Sequence, residues 1–160
     1  MNFSTRPATI DDTAFAKSAH HLGYREVVER QFGPWDEADQ DRRFASDWKL
    51  ERFVMLIVDG QTCGYARTET LPDQISVVEL VVHPRFQNRG IATIFLHQVM
   101  EKATTLGLRI QLGTFTKSRA LVLYHRLGFR EFDRTETHVL MEWIPECSSR
   151  VAPPNWRLNS

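Results

Sequence analysis

A helical repeat opens at Ile91 in the segment FQNRGIATIFLHQVMEKA, residues 86–103, without the residues that ordinarily start a helix. Ala92, Phe95, Leu96, Val99 and Ala103 recur at three- and four-residue steps, the spacing of one apolar helix face. Such a start usually carries Ser, Asp or Asn as a cap and acidic side chains in its first turn. Here no Asp or Glu occurs between Pro84 and Glu101, and Arg85 and Arg89 stand just upstream. The first N–H groups of a helix lack intrahelical acceptors, and the macrodipole adds roughly half a positive charge there. Gly90 has no Cβ to hold a bulky anion away from the backbone. The stretch reads as a site for phosphate or pyrophosphate, or as a solvated helix end with Gly90 as a turn residue.

The elements that must position this helix start follow from hydrophobic period and turn signals. NFSTR reads as a first strand stopped by Pro7. IDDTAFAKSAHHLGYREVVERQF reads as helical, with Asp11 or Asp12 as its cap and a break near Gly23. A second helix starts near Trp35 or Asp36. The period then changes to that of strands: two apolar runs flank Asp59-Gly60, a strong hairpin signal, and QISVVELVVHP forms a third strand ending at Pro84. The helix with the anion-type start follows at once and ends at Gly107. LRIQLGTF is a strand, SRALVLYHRLGF a short helix closed by Gly128, and THVLMEWI a last strand. This order predicts an α/β (α+β) layer design with a mixed sheet. Residues 1–145 are expected to form a single domain, with 146–160 as a loosely held C-terminal tail.

Composition narrows the function classes. Lys plus Arg equal Asp plus Glu at 20 each, so the net charge is zero. That removes the usual electrostatic argument for nucleic acid or a membrane surface as partner. With 42% hydrophobic and 25% charged residues, the chain has the profile of a soluble globular protein. Its two cysteines, Cys63 and Cys147, form no CxxC pair and no disulfide framework, and Cys63 reads as a core residue of a strand. No secretory leader or 18-residue apolar run is visible, so the cytoplasm is the expected compartment.

LVVHPRFQNRGIAT resembles the acyl-CoA-binding motif of the GNAT N-acetyltransferase superfamily, a hydrophobic strand, His-Pro, then Gln87-Asn88-Arg89-Gly90-Ile91-Ala92. RALVLYHRLGF resembles a second family segment through Ala120, Tyr124, Gly128 and Phe129, and the opening STRPATIDD resembles the family's first strand. The resemblance spans roughly residues 3–143. It implies a mostly antiparallel twisted sheet flanked by about four helices, with acetyl-CoA as donor and a small-molecule or peptide amine as acceptor. It makes the CoA pyrophosphate the missing anion, held from Arg89 to Thr93, and runs the pantetheine arm along the backbone of Leu80, Val81 and Val82. Where relatives often carry an Asn that touches pantetheine, this chain has Lys117, a residue for a CoA phosphate or for solvent.

Acetyl transfer requires a neutral amine, a proton acceptor, a polarised thioester carbonyl and a donor for the leaving thiolate. The resemblance implies Tyr124 as the donor; a helix-face aromatic packed beside Leu121 and Leu127 is the structural alternative. Glu79, the acid inside VVELVV, is the candidate base, or an ordinary outward-facing strand residue. Some relatives place a Glu on the following strand, where RIQLGTF has none, and His83 before Pro84 is expected to face solvent. Tyr24, Trp35, Asp36, Glu37 and Gln40 are candidates for binding a cationic amine through charge and aromatic faces, or for forming a lid and a solvated cap. His20, His21, His97 and His125 show no metal-ligand spacing, so no metal is expected. RLGFREFDR is too mixed in charge for a nucleic-acid patch. A monomer or homodimer is expected. The leading reading is an N-acetyltransferase acting by direct attack in a ternary complex; the competing one is a CoA-binding sensor or interaction module without catalysis.

Overall fold

Asp59 and Gly60 both take positive φ, 49° and 80°, and close the hairpin between β2 (Val54–Val58) and β3 (Gln61–Thr70) in the computed structural model, which describes residues 1–146. Positive φ at both central residues gives a turn whose twist matches that of the strands it joins. The remaining strands are β1 (Phe3–Pro7), β4 (Gln74–Val82), β5 (Arg109–Phe115), β6 (Arg130–Arg134) and β7 (His138–Trp143). They form one sheet in the order β1-β2-β3-β4-β5-β7-β6, in which only β4 and β5 run parallel. Four α-helices cover it: α1 (Thr13–Phe32), α2 (Glu37–Asp47), α3 (Ile91–Leu106) and α4 (Ala120–Arg126). This is the expected mixed α/β design with a mostly antiparallel sheet. No helix among the described residues is long and apolar enough to cross a membrane.

Two cores lie on opposite faces of the sheet. Phe95, Leu96 and Val99 of α3 and Tyr124 of α4 pack with Ile75, Val77, Ile110 and Leu112 on one face. Ala16 and Ala19 of α1 and Phe44 of α2 pack with Met55, Tyr65 and Val81 on the other. The donor-type helix start and Tyr124 thus belong to one layer, and the predicted acceptor helices to the other.

Three local expectations are corrected. α1 runs unbroken through Gly23, whose missing Cβ would touch a Val81 methyl at 3.4 Å, so the glycine lets the helix lie close on β4. Asp12 stands at the start of α1 but makes no side-chain cap there. Its carboxylate instead accepts from the Arg6 guanidinium at 2.7 and 2.8 Å and from the Thr9 N–H at 2.8 Å, and the Arg6 bond above all holds it down at about 2. Finally, β6 is a seventh strand that period reading missed. All five of its residues are exposed, so an edge strand of charged side chains shows no apolar alternation. Cys63 is buried in β3 as expected; Cys147 and residues 147–160 of the predicted tail lie outside the described residues.

Gly64 is a position that sequence reading passed over. A Cβ there would stand 2.1 Å from the Val81 carbonyl oxygen and 3.0 Å from the Val82 Cα, both backbone atoms. Gly64→Ala is therefore expected to push β3 off β4 beside the site and to lower stability by about 1–3 kcal/mol, the usual cost of overpacking. Urea unfolding checks this; a midpoint equal to wild type refutes it.

Candidate functional site

β4 leaves its neighbour half-way. Gln74–Val77 pair with Arg109–Leu112, and no pairing continues beyond Val77 although β4 runs on to Val82. A bulge stands at the same place: Arg67 faces Glu79 and Thr68 faces Val77, so Val78 is the extra residue. The bulge inverts the strand's alternation. Ile75 and Val77 face the α3/α4 layer, and beyond Val78 that face passes to Leu80 and Val82 while Val81 joins the α1/α2 layer. Between the parted strands opens a cleft of about 420 Å³, lined by β4 from Val77 to Val82, β5 from Leu112 to Phe115, the start of α3 and one side of α4.

The opened edge presents main-chain groups to this cleft. The His83 N–H donates to Cys63 on the β3 side, so alternation turns the groups of Leu80 and Val82 to the side that β5 has left. The Val82 carbonyl already accepts from Gln87 Nε2 at 2.9 Å, which leaves its N–H facing the cleft. At the foot of β4, Asn88 and Gly90 take left-handed φ of 63° and 80° and lead into α3. The helix has no side-chain cap and no acid in its first turn, and its first internal bond is Ile94 N–H to Gly90 C=O at 3.0 Å. The N–H groups of Ile91, Ala92 and Thr93 therefore lack helical acceptors. No heavy atom lies within 4 Å of where a Gly90 Cβ would stand. The arrangement can take an anion through backbone donors and an extended chain along β4.

Of the predicted donor-side residues, Leu80, Val81, Val82, Gln87, Asn88, Gly90, Ile91, Ala92 and Thr93 all line the cleft. Arg89 instead lies over the Phe86 ring at 5.5 Å. Lys117 also stands outside the lining: its Nζ donates to the Arg30 carbonyl at 3.4 Å and its backbone N–H to Gln31 Oε1 at 3.1 Å. Arg126 of α4 lines the cleft and was missed, because the charge-mixed segment around it gave no sign of direction. His83 is corrected. Only 8% exposed, it stacks on Phe15 at 5.5 Å and accepts the Arg85 N–H at 3.1 Å, capping the turn after β4.

Tyr124 and Glu79 meet the cleft from opposite layers. Tyr124 is buried against Phe129, and burial pushes its phenol up to about 12. It therefore stays protonated at neutral pH and can only donate or share its proton. Burial also raises the Glu79 carboxyl; the Tyr65 hydroxyl, donating to Glu79 Oε1 at 2.8 Å, acts in the opposite direction. Asp47 raises it further and Arg67 lowers it. A carboxylate with a raised pKa beside a cleft is suited to accept a proton.

Of the predicted acceptor-side residues, Tyr24 lines the cleft. Trp35, Asp36, Glu37 and Gln40 do not. Asp36 caps α2 by accepting the Asp39 N–H at 3.0 Å, and Trp35 Nε1 donates to Glu37 Oε2 at 2.6 Å. Glu79 also lines a second, small recess of about 10 Å³, together with His20, Asp47, Trp48, Phe53 and Tyr65 among others. One statement about the histidines is corrected: His21 gains companions when α2 folds against α1. His21, Glu37 and Asp41 bring ligand atoms within 4.8 Å of one another, and Lys17 Nζ stands 3.2 Å from Asp41. Spacing in the chain hid this, since the acids come from the next helix.

A family model described as the Acetyltransferase (GNAT) family matches residues 21–129. A curated relative from Salmonella typhimurium, a [ribosomal protein bS18]-alanine N-acetyltransferase, is 26% identical over 105 residues, which are 61% of this chain and 66% of the relative. The protein of the same name from Escherichia coli K12 is 25% identical over 127 residues, 75% of this chain and 78% of its own length. Among solved structures, a PaiA N-acetyltransferase from Thermoplasma acidophilum in complex with coenzyme A superposes with a TM-score of 0.74 at 14% identity, over 90% of this chain and 99% of the other. The ribosomal-protein-S18-alanine N-acetyltransferase from Escherichia coli gives a TM-score of 0.61 at 19% identity, over 89% and 94%.

Proposed function

The chain belongs to the acetyltransferase (GNAT) family, and from that premise we propose that it transfers acetyl from acetyl-CoA directly to a primary amine. The observation that carries this reading is the single cleft where an uncapped helix start, the open edge of β4, Tyr124 and Glu79 converge. The CoA pyrophosphate sits on the N–H groups from Gly90 to Thr93, with Arg126 as a cation on the opposite wall. Pantetheine lies along Leu80 to Val82 as an added strand, which brings the thioester carbonyl to the Val82 N–H. That donor meets the oxygen as negative charge develops on it.

An alkyl ammonium with a pKa of about 10.4 is neutral in about one molecule in two thousand at pH 7, so the acceptor must lose a proton to attack. Glu79 takes it. The amine nitrogen bonds the carbonyl carbon, the tetrahedral oxyanion forms against the Val82 N–H, and the C–S bond breaks as the carbonyl returns. Tyr124 donates to the leaving sulfur, and the second proton of the acetylated nitrogen passes through water in the cleft to the tyrosinate, restoring the phenol. A thiol of about 8.5 is a stronger acid than this phenol, so full transfer relies on the same burial raising the thiolate's basicity.

Because the curated relatives are named as ribosomal-protein alanine N-acetyltransferases, alanine peptides with a free amino group are the first acceptors to try, followed by polyamines and small primary amines. Acetyl-CoA with such a panel, read by acceptor-dependent thiol release and product mass, tests the function. Acetyl-CoA binding without release across the panel would favour a binding module instead. The donor site has its own test. Gly90→Glu places a carboxylate where the pyrophosphate lies and forces a side chain onto φ of 80°. Calorimetry is expected to show at least about a fivefold loss of CoA affinity, since the helix-terminus charge interaction that the new carboxylate takes from the pyrophosphate is worth ~1 kcal/mol. Unchanged affinity in a folded variant refutes the placement.

A further inference from the structure

Three side chains behind the acceptor side form an unbroken hydrogen-bonded line from the interior outward. His20 Nδ1 lies 2.9 Å from His21 Nδ1, and His21 Nε2 lies 2.7 Å from Asp41 Oδ1. Neighbouring residues of a helix diverge by about 100°, so this ring-to-ring contact needs both side chains turned toward each other. The inner end, His20, lines the small recess that Glu79 also lines. The outer end, Asp41, is 39% exposed at its side chain. The recess, at about 10 Å³, is close to the smallest space that holds one water molecule, and its polar lining of Glu79, Tyr65, Asp47 and His20 supplies the partners such a water needs.

We propose that His20, His21 and Asp41 are a proton relay that carries the acceptor amine's proton from Glu79, through one water in the recess, to solvent. The proposal rests on the acetyl-transfer reading above, and none of the three touches the reacting atoms. An ionised Asp41 can only accept, so a neutral His21 donates from Nε2 and accepts at Nδ1; His20 then donates from Nδ1 and holds a bare Nε2. A proton leaving Glu79 passes by the water to His20 Nε2. The Nδ1 proton of His20 moves to His21 Nδ1, the Nε2 proton of His21 moves to Asp41, and Asp41 releases it to bulk water. Both rings are left in the opposite tautomer. When the product departs and water enters the cleft, His20 Nε2 gives up its proton there and Asp41 returns one from bulk to His21, restoring the start. Of the two protons the ammonium loses, one ends on the CoA sulfur. The other leaves Glu79 along the line while substrate fills the cleft. The reset puts one proton into the cleft water for the one drawn back from bulk, so one reaches solvent per turnover. Burial first, then the neighbouring His21, push His20 down to about 4, so it passes a proton on and does not store it.

The charged and titratable groups around the line are Lys17 and Glu37 at its outer end, and Tyr24, Tyr65, Asp47 and Arg67 around His20 and Glu79. Asp47 is exposed and lines the same recess, which makes it the competing outlet. Two measurements on the intact chain test the relay. Long-range ¹H–¹⁵N spectra at neutral pH are expected to show His20 as the Nδ1–H and His21 as the Nε2–H tautomer; His20 protonated at Nε2 overturns it. With acetyl-CoA and an acceptor found in the amine panel, His20→Gln and His21→Gln are expected to lower kcat at least about tenfold, within what proton-transfer groups contribute. Their acetyl-CoA affinity stays at the wild-type value, and added imidazole raises their kcat but not that of wild type. Wild-type kcat in both variants, or a loss that imidazole does not restore, removes the relay alone. So does an imidazole-rescued loss confined to Asp47→Asn. A wild-type chain that acetylates no amine removes the acetyl-transfer reading, and the relay with it.

Discussion

Tyr124→Phe is expected to lower kcat by about 10²–10⁴-fold, the range supplied by a positioned general acid, while acetyl-CoA binds as in wild type. The substitution removes one hydroxyl from a ring that is otherwise held by the core. The ring packs against Phe129 at 5.8 Å and within the α3/α4 layer, contacts that phenylalanine keeps. Because burial holds the phenol at about 12, wild-type activity should show no loss from tyrosine ionisation below that pH. The check is single-turnover kinetics with acetyl-CoA and the panel's best acceptor, alongside calorimetric affinity for CoA. A donor thioester with a better leaving thiol should narrow the gap between the two proteins, since a good leaving group needs less protonation. Equal single-turnover rates would return Tyr124 to a packing role.

Glu79→Gln is expected to reduce kcat by a similar factor of about 10²–10⁴, yet to leave the folded protein at least as stable as wild type at neutral pH. The sign follows from linkage. Burial raises the folded-state pKa of Glu79 above its unfolded value, so the folded state binds the proton more tightly. Its stabilising share is fully present below the unfolded pKa and is lost as pH rises through the folded pKa. Above that pH the wild type carries a buried charge which glutamine removes, and glutamine can still accept from Tyr65. For catalysis the order is reversed: Glu79 must be ionised to accept a proton, so wild-type kcat/KM falls as pH drops through the raised pKa. In Glu79→Gln that acidic limb should flatten or move. Thermal melts and pH–rate profiles of both proteins decide the matter. A wild-type rate with the same acidic limb would exclude Glu79 as the base, and a destabilised variant at neutral pH would mean that the carboxylate is retained for folding.

Much of the proposed donor side was legible in the chain because its chemistry is local. A helix start without a cap or an acid, a glycine able to take φ of 80°, and an Asp-Gly turn are properties of a few consecutive backbone units. Neighbouring residues dictate them whatever the rest of the fold does, and the two segments that resemble the GNAT motifs lie in such units. The proposed acceptor side was not legible in the same way. Strict alternation along VVELVV would put Glu79 on the face of Val77, in the α3/α4 core. The extra residue at Val78 turns it to the other face, toward Tyr65 and the α1/α2 layer. Whether a strand bulges depends on how its partner strand registers, and no window of one strand contains that.

The same distinction separates the remaining residues. Trp35, Asp36, Glu37 and Gln40 attracted notice by their types, but α2 uses Asp36 as its cap and holds the group outside the cleft lining. Gly64 gave no local signal, because its need for hydrogen in place of Cβ comes from the Val81 carbonyl of the next strand. His20 and His21 became connected to Asp41 only when α2 packed on α1. The sequence by itself determined where the helices and turns begin, the anion-ready start of α3 and the apolar faces that must be covered. It could do so because backbone hydrogen bonding and side-chain period act over a few residues. Only the tertiary structure decided which face Glu79 takes, how close β3 comes to β4 and which polar groups share a recess, because each depends on contacts between residues remote in the chain.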